Sequence, residues 1–288
     1  MPYSNKITDF KAYLSQAGYG QSSRSSLPAM VTDFLSYHNL SEINQITPHH
    51  ISQYHQHLQE RPNKHQEGGL SESYIHHHVF ALKTFFNWLE ESGQSSHNPI
   101  SALKFAQPGK KSREPLSKEA IRELFRATRN LKERAVLHLF YSCGLRRSEG
   151  QALNIRDIHF KQQLLYVRSG KGAKRRAVPM PAQVARDLEN YYRQERIYQA
   201  ARNDESAFML NKQGGRMHGQ GYQNILKELT VRAGLHEAIT LHYLRHSITT
   251  HLLETGMTIE LLRQFLGHSF LETTQIYAGV SKQQILKL

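Results

Sequence analysis

Apolar positions along the chain form a series of helical stripes, interrupted once by strand-like runs. Ile7, Phe10, Leu14 and Ala17 recur at helical spacing and predict a short amphipathic helix closed by Gly18 and Gly20. Leu27, Met30, Val31, Phe34 and Leu35 predict a second helix ending near Asn39, with Pro28 in its first turn, where a missing N–H costs little. Thr47-Pro48 has the form of an N-cap followed by proline at the first helical position, opening a helix with Ile51, Tyr54 and Leu58 on one face. Ser71 or Ser73 starts a fourth, with the stripe Ile75, Val79, Leu82, Phe85, Phe86 and Leu89, and Gly93 ends it. These elements predict a small all-α domain over residues 1–100. The stretch Ser101–Pro115, with its prolines, glycine and basic residues, is the expected linker.

A second domain is expected over 116–288. Ser117 caps a helix carrying Ile121, Leu124 and Phe125, and the nearly continuous apolar run Ala135–Tyr141 is a core helix broken at Gly144. Leu164–Val167 and Arg176–Met180 flank a glycine-containing turn and predict a β-hairpin. Pro181–Asn203 is a long polar helix, and Tyr222–Ala233 an amphipathic helix ended by Gly234. Leu241, Leu244, Ile248 and Leu252 mark the buried face of a further helix. On it His242, Arg245 and His246 lie at i, i+3 and i+4 and so share a side. The fold class is therefore mainly α with a small sheet.

Charge changes this picture. Lys and Arg outnumber Asp and Glu by 37 to 24, a net +13 with His neutral, and such an excess points to a polyanionic partner. The basic residues Lys104, Lys110, Lys111 and Arg113 of the linker suit phosphate tracking, as do Lys174, Arg175 and Arg176 beside the hairpin turn. No apolar run reaches the ~20 residues of a membrane span, and the N-terminus lacks the apolar region of a signal peptide. Cys143 is the only cysteine, so no intrachain disulfide is expected; a cytoplasmic setting follows. His76, His77 and His78 diverge by about 100° per residue on a helix and cannot converge on one ion, and His242-Tyr243 lacks the glutamate of a zinc HExxH motif, so no metal or cofactor is expected. The hairpin is not a nucleotide-binding loop, because GxxxxGK[ST] is missing. Cys143 has no nearby histidine to activate it and is expected to be a small buried residue, and His246 a structural residue beneath the site.

Five motifs then occur in order: GLRRSE at Arg146, GKGAKRRAVP at Lys171, HYLRHSITTHLL at His242 and Arg245, LGHS at His268, and TTQIY at Tyr277. In this the chain resembles the tyrosine recombinase, or phage integrase, family, over the whole second domain and more loosely over the first. The resemblance implies a DNA-binding core-binding domain followed by a catalytic domain. It implies cleavage and rejoining of double-stranded DNA without metal or ATP through a 3′-phosphotyrosyl intermediate. Tyr277 would be the nucleophile, Arg146 and Arg245 the phosphate clamp, His242 the general base, His268 a phosphate-positioning residue and Lys171 the acid for the departing 5′-oxygen. It implies a homotetramer on two DNA sites, with an accessory DNA-bending protein or a related recombinase as a further partner. The chain lacks room for an extra arm-binding domain, which favours the simple Xer-like or mobile-element type. Gly150 stands where the family usually has an aliphatic residue, and Ile248-Thr249-Thr250 where Phe-Ala-Thr is common. A type IB topoisomerase and a catalytically silent DNA-binding regulator are the alternatives. Ile285, Leu286 and Leu288 could dock on a neighbouring protomer or on their own domain.

Overall fold

The computed structural model describes residues 3–39, 42–63, 67–109, 114–168, 175–199, 206–235 and 239–267. The chain divides into two compact units, Met1–Ser112 and Arg113–Leu288, each with its own hydrophobic core.

The first unit is helical: α1 (Ser4–Gln16), α2 (Gln21–His38), α3 (Pro48–Glu60) and α4 (Glu72–Glu91). Its core gathers the expected stripes, with Phe10, Leu14, Leu27, Val31, Phe34, Ile51, Leu58, Leu82, Phe85 and Phe86 all buried. Thr47 caps α3, and its backbone N–H donates to the His50 ring at 3.1 Å; Ser71 caps α4, its hydroxyl accepting from the Tyr74 N–H at 3.2 Å. α2 begins earlier than its apolar stripe, so Pro28 lies inside the helix rather than in its first turn. The polar run from Gln21 to Ser26 is helical, and the buried proline ring helps fill the core where an N–H has been given up. Of the consecutive histidines only His78 is buried, where its Nδ1 meets the Tyr54 hydroxyl at 3.0 Å.

In the second unit α5 (Lys118–Arg126) is capped by Ser117, and α6 (Leu131–Leu137) runs into a turn of π-helix, His138–Ser142. After Gly144 comes the short α7 (Arg147–Ala152). A three-stranded antiparallel sheet follows: β1 (Ile158–His159), β2 (Leu164–Val167) and β3 (Arg176–Pro179), in that order. The hairpin register pairs Val167 with Arg176, and β1 is an edge strand too short to leave a period in the sequence. The long polar helix is α8 (Ala182–Tyr191), a π turn over Tyr192–Arg196, and a last turn α9 (Ile197–Gln199). Then come α10 (Gly219–Arg232), α11 (Leu241–Glu254) and α12 (Ile259–Leu266). The α6 helix with its π turn is the buried centre of this unit: Ala135, Val136, Leu139 and Phe140 are fully enclosed. Among the described residues no helix is long and apolar enough to cross a membrane.

Candidate active site

The C-terminus of α12 organises the site. A helix ends with carbonyls that have no partner within it. Here Phe265 and Leu266 offer theirs to three arginines from three other elements. Arg176, the first residue of β3, donates Nε to the Phe265 carbonyl at 2.9 Å. Arg245 of α11 donates Nη2 to the Leu266 carbonyl at 2.7 Å, and Arg146, the N-cap residue of α7, reaches the same oxygen through Nη1 at 3.4 Å. The negative end of the helix dipole favours this gathering of cations. Gly267 closes α12 in the left-handed conformation, φ 73°.

Gly144 brings Arg146 to this point. Its φ of 57° turns the chain out of the π turn, and a Cβ there would stand 3.1 Å from the Phe265 ring. Its carbonyl also accepts from Arg245 Nη1. Arg146 and Arg245 are thus joined through the backbone on both sides, by Gly144 and by Leu266.

Three guanidinium groups need a counter-charge, and Glu149 supplies it. Its carboxylate is fully enclosed, taking Arg176 Nη1 and Nη2 on its two oxygens at 2.8 Å each. It also accepts Arg146 Nη1 and the Arg146 backbone N–H at 2.8 Å, and Arg245 Nη1 lies 3.8 Å away. Burial alone would raise the Glu149 carboxyl; the hydrogen bonds and charge of Arg176, then those of Arg146, override it and hold the group down to about 2. Arg245 is buried, and burial together with its neighbours Arg146 and Arg176 lowers it to about 9, still protonated at neutral pH. A site with this excess positive charge in a partly desolvated place is built for an anion.

Of the expected catalytic residues, the structure brings Arg146, His242 and Arg245 together. His242 is exposed on α11, and burial first, then the charges of Arg245, His246 and Arg146, push its imidazole below the usual 6.5. His242 and His246 face outward while Arg245 turns inward, so the three do not present one common face. His246 is exposed beside His242 rather than packed beneath the site as expected. Arg176, expected to meet DNA, is 4% exposed and holds Glu149 instead. Lys104 and Arg175 are exposed. Lys110, Lys111, Arg113, Lys171, Lys174, His268 and Tyr277 lie outside the described residues. Cys143 is buried, and burial pushes its thiol up to about 12, the inert state expected of it. Glu149 was missed as a functional candidate. Its signal is positional, an acid three residues after an arginine at the start of a helix, where its carboxylate can reach back to the N-cap N–H.

Residues 114–284 match the phage integrase family, and residues 7–95 match the phage integrase N-terminal SAM-like domain. Tyrosine recombinase XerD of Oceanobacillus iheyensis is 34% identical over 76% of this chain and 75% of its own length. Tyrosine recombinase XerC of the same organism is 30% identical over 88% of this chain and 83% of its own. In fold, the lambda integrase tetramer bound to a Holliday junction aligns with a TM-score of 0.69 at 14% identity, covering 94% of this chain and 80% of that one. The chain belongs to the phage integrase family, the tyrosine site-specific recombinases.

Proposed function

We propose that this protein cleaves and reseals duplex DNA with Tyr277 as nucleophile, and that Arg146 and Arg245 are the clamp on the scissile phosphate. The observation that carries the reading is the convergence of these two arginines on the end of α12, immediately before Gly267 and His268 in the chain.

The chemistry follows from the residue types. Two guanidinium forks can bind the non-bridging oxygens and neutralise the charge that grows on them, work a lysine cannot do with the same geometry. The Tyr277 oxygen attacks phosphorus, its proton passing to the neutral imidazole of His242, and the bond from phosphorus to the 5′-oxygen breaks. Lys171 protonates that departing oxygen, and His268 holds the phosphate. The phosphotyrosyl bond keeps the energy of the phosphodiester, so a second strand's 5′-hydroxyl can displace the tyrosine without ATP. The helical unit and the linker lysines Lys104, Lys110 and Lys111 hold the duplex, and four protomers act on two sites, in the manner of the lambda integrase tetramer.

A suicide substrate tests this reading. A cognate site nicked so that the 5′-leaving fragment diffuses away should trap a covalent adduct with the wild-type chain and none with Tyr277→Phe. No adduct from the wild type would remove the catalytic reading; an adduct surviving the substitution would remove Tyr277 from it. Recombinant joints from two-site substrates separate recombination from mere relaxation.

A further inference from the structure

We propose that Arg176 is a positioning residue for the phosphate clamp: it occupies Glu149 so that Arg146 keeps its exposed fork available to the DNA. The proposal rests on the recombinase reading above.

The argument is one of charge and geometry. Glu149 is enclosed, and a buried carboxylate must find partners. Arg176, itself enclosed, gives it two parallel hydrogen bonds, the strongest arrangement a guanidinium can make. Arg146 therefore shares only one oxygen through Nη1, and its side chain remains 21% exposed. Arg245 stays 3.8 Å from the carboxylate. Among the described residues, Arg146 is the partly exposed guanidinium already in contact with Glu149. Without Arg176 it would turn its fork onto the carboxylate, and a fork facing Glu149 cannot face a phosphate.

Arg176 also ties elements together. It is the first residue of β3, five positions after Lys171 in the sequence, and its Nε holds the Phe265 carbonyl at the end of α12. Gly267 closes over it: a Cβ at that position would stand 3.0 Å from Arg176 Cδ and Nη1. One side chain thus fixes the start of β3, the close of α12 at Gly267 and the counter-ion of both clamp arginines. Lysine, a single ammonium on a flexible stem, cannot satisfy Glu149 on both oxygens and Phe265 together.

The test measures single-turnover cleavage of the suicide substrate at saturating DNA, per folded molecule and below each variant's melting temperature, with DNA affinity measured separately. Arg176→Gln should cleave about 100-fold more slowly, the scale of a lost preorganised donor, while binding DNA within about threefold of wild type, a loss in kcat rather than KM. Arg176→Lys should remain slow. The double variant Glu149→Gln with Arg176→Gln, which leaves no unpaired carboxylate, should regain about tenfold over Arg176→Gln alone, a coupling expected of residues in one network. A rate for Arg176→Gln equal to wild type per folded molecule would reduce Arg176 to a purely structural residue and overturn the proposal. A double variant no faster than the single would overturn the charge mechanism. If the wild-type chain itself formed no adduct, the recombinase reading would fall first.

Discussion

In the proposed mechanism His242 has to accept a proton as the base, and its surroundings keep it able to. Burial and the positive charges of Arg245, His246 and Arg146 lower its pKa, so at neutral pH the ring carries a free lone pair. Activity is present above that lowered pKa and is lost as pH falls through it. The acid limb of kcat/KM, which reports the free enzyme, should therefore lie below pH 6.5. His242→Asn should abolish that limb and slow cleavage by about 10²–10⁴-fold. An acid limb above pH 6.5, or one that persists in the variant, would assign the proton to another group. At this scale the motifs named Arg146, His242 and Arg245 as candidates, because each sits at a fixed spacing from a glycine or along a helix. Arg176 was misplaced because a run of basic residues looks uniformly solvated. The neighbouring residues held the better signal: Arg176 shares a face with Val178, which is fully buried. Whether an arginine can go inside depends on a partner waiting there, and Glu149 is far from it in sequence.

Gly150 in α7 shows how one element constrains another. A glycine within a helix costs about 1 kcal/mol against alanine, which would make it a defect. The structure gives it a reason: a Cβ there would stand 2.7 Å from Phe140 Cζ, and three atoms of that ring lie within contact. Phe140 is held in turn by Tyr222, edge-on at 5.0 Å, whose hydroxyl donates to the Gly150 carbonyl at 2.9 Å. Gly150→Ala should gain helix propensity and lose more to overpacking, a net cost of about 1–2 kcal/mol, or a melting point lower by about 3–6 °C. Adding Phe140→Leu should return part of that loss; strict additivity would show that the ring is not the obstacle. The longer helices were legible because their stripes are long, while the short α12, the two π turns and β1 were not: two turns of helix, a widened turn and a two-residue strand leave little period to read.

In α4, His78 sets a second expectation. Tyr54 donates its hydroxyl proton to Asp33 at 2.7 Å, so His78 Nδ1 must be the donor to Tyr54, and among the described residues His78 Nε2 is buried without a partner. Burial holds this ring down to about 4. Between pH 6.5 and 4 the unfolded chain binds the proton and the folded unit does not. Stability should be full above pH 6.5 and fall by about 3 kcal/mol as pH drops toward 4. Trp88, the only tryptophan, is in the same core, so its fluorescence follows this unit alone. His78→Asn should flatten the pH dependence of that melt, and a melt as steep in the variant as in wild type would place the titration elsewhere.

For the whole molecule, a net +13 decides how binding responds to salt. A protein that neutralises phosphates releases counterions, and log K falls with log salt at about −0.9 per phosphate contact. Six or more contacts across the two units would give a slope near −5 and lose at least about 10³ in affinity between 50 and 200 mM salt. The structure sharpens this into a comparison of two adjacent arginines. Arg175 is exposed and Arg176 is enclosed with Glu149. Arg175→Ala should flatten the slope by about 0.9, because a phosphate contact is lost. Arg176→Gln should leave the slope where it was while slowing cleavage, because its charge is already spent inside the protein. Equal changes in slope from both variants would mean that Arg176 leaves Glu149 when DNA binds, and a flat dependence in the wild type would mean that the positive charge does not grip phosphates.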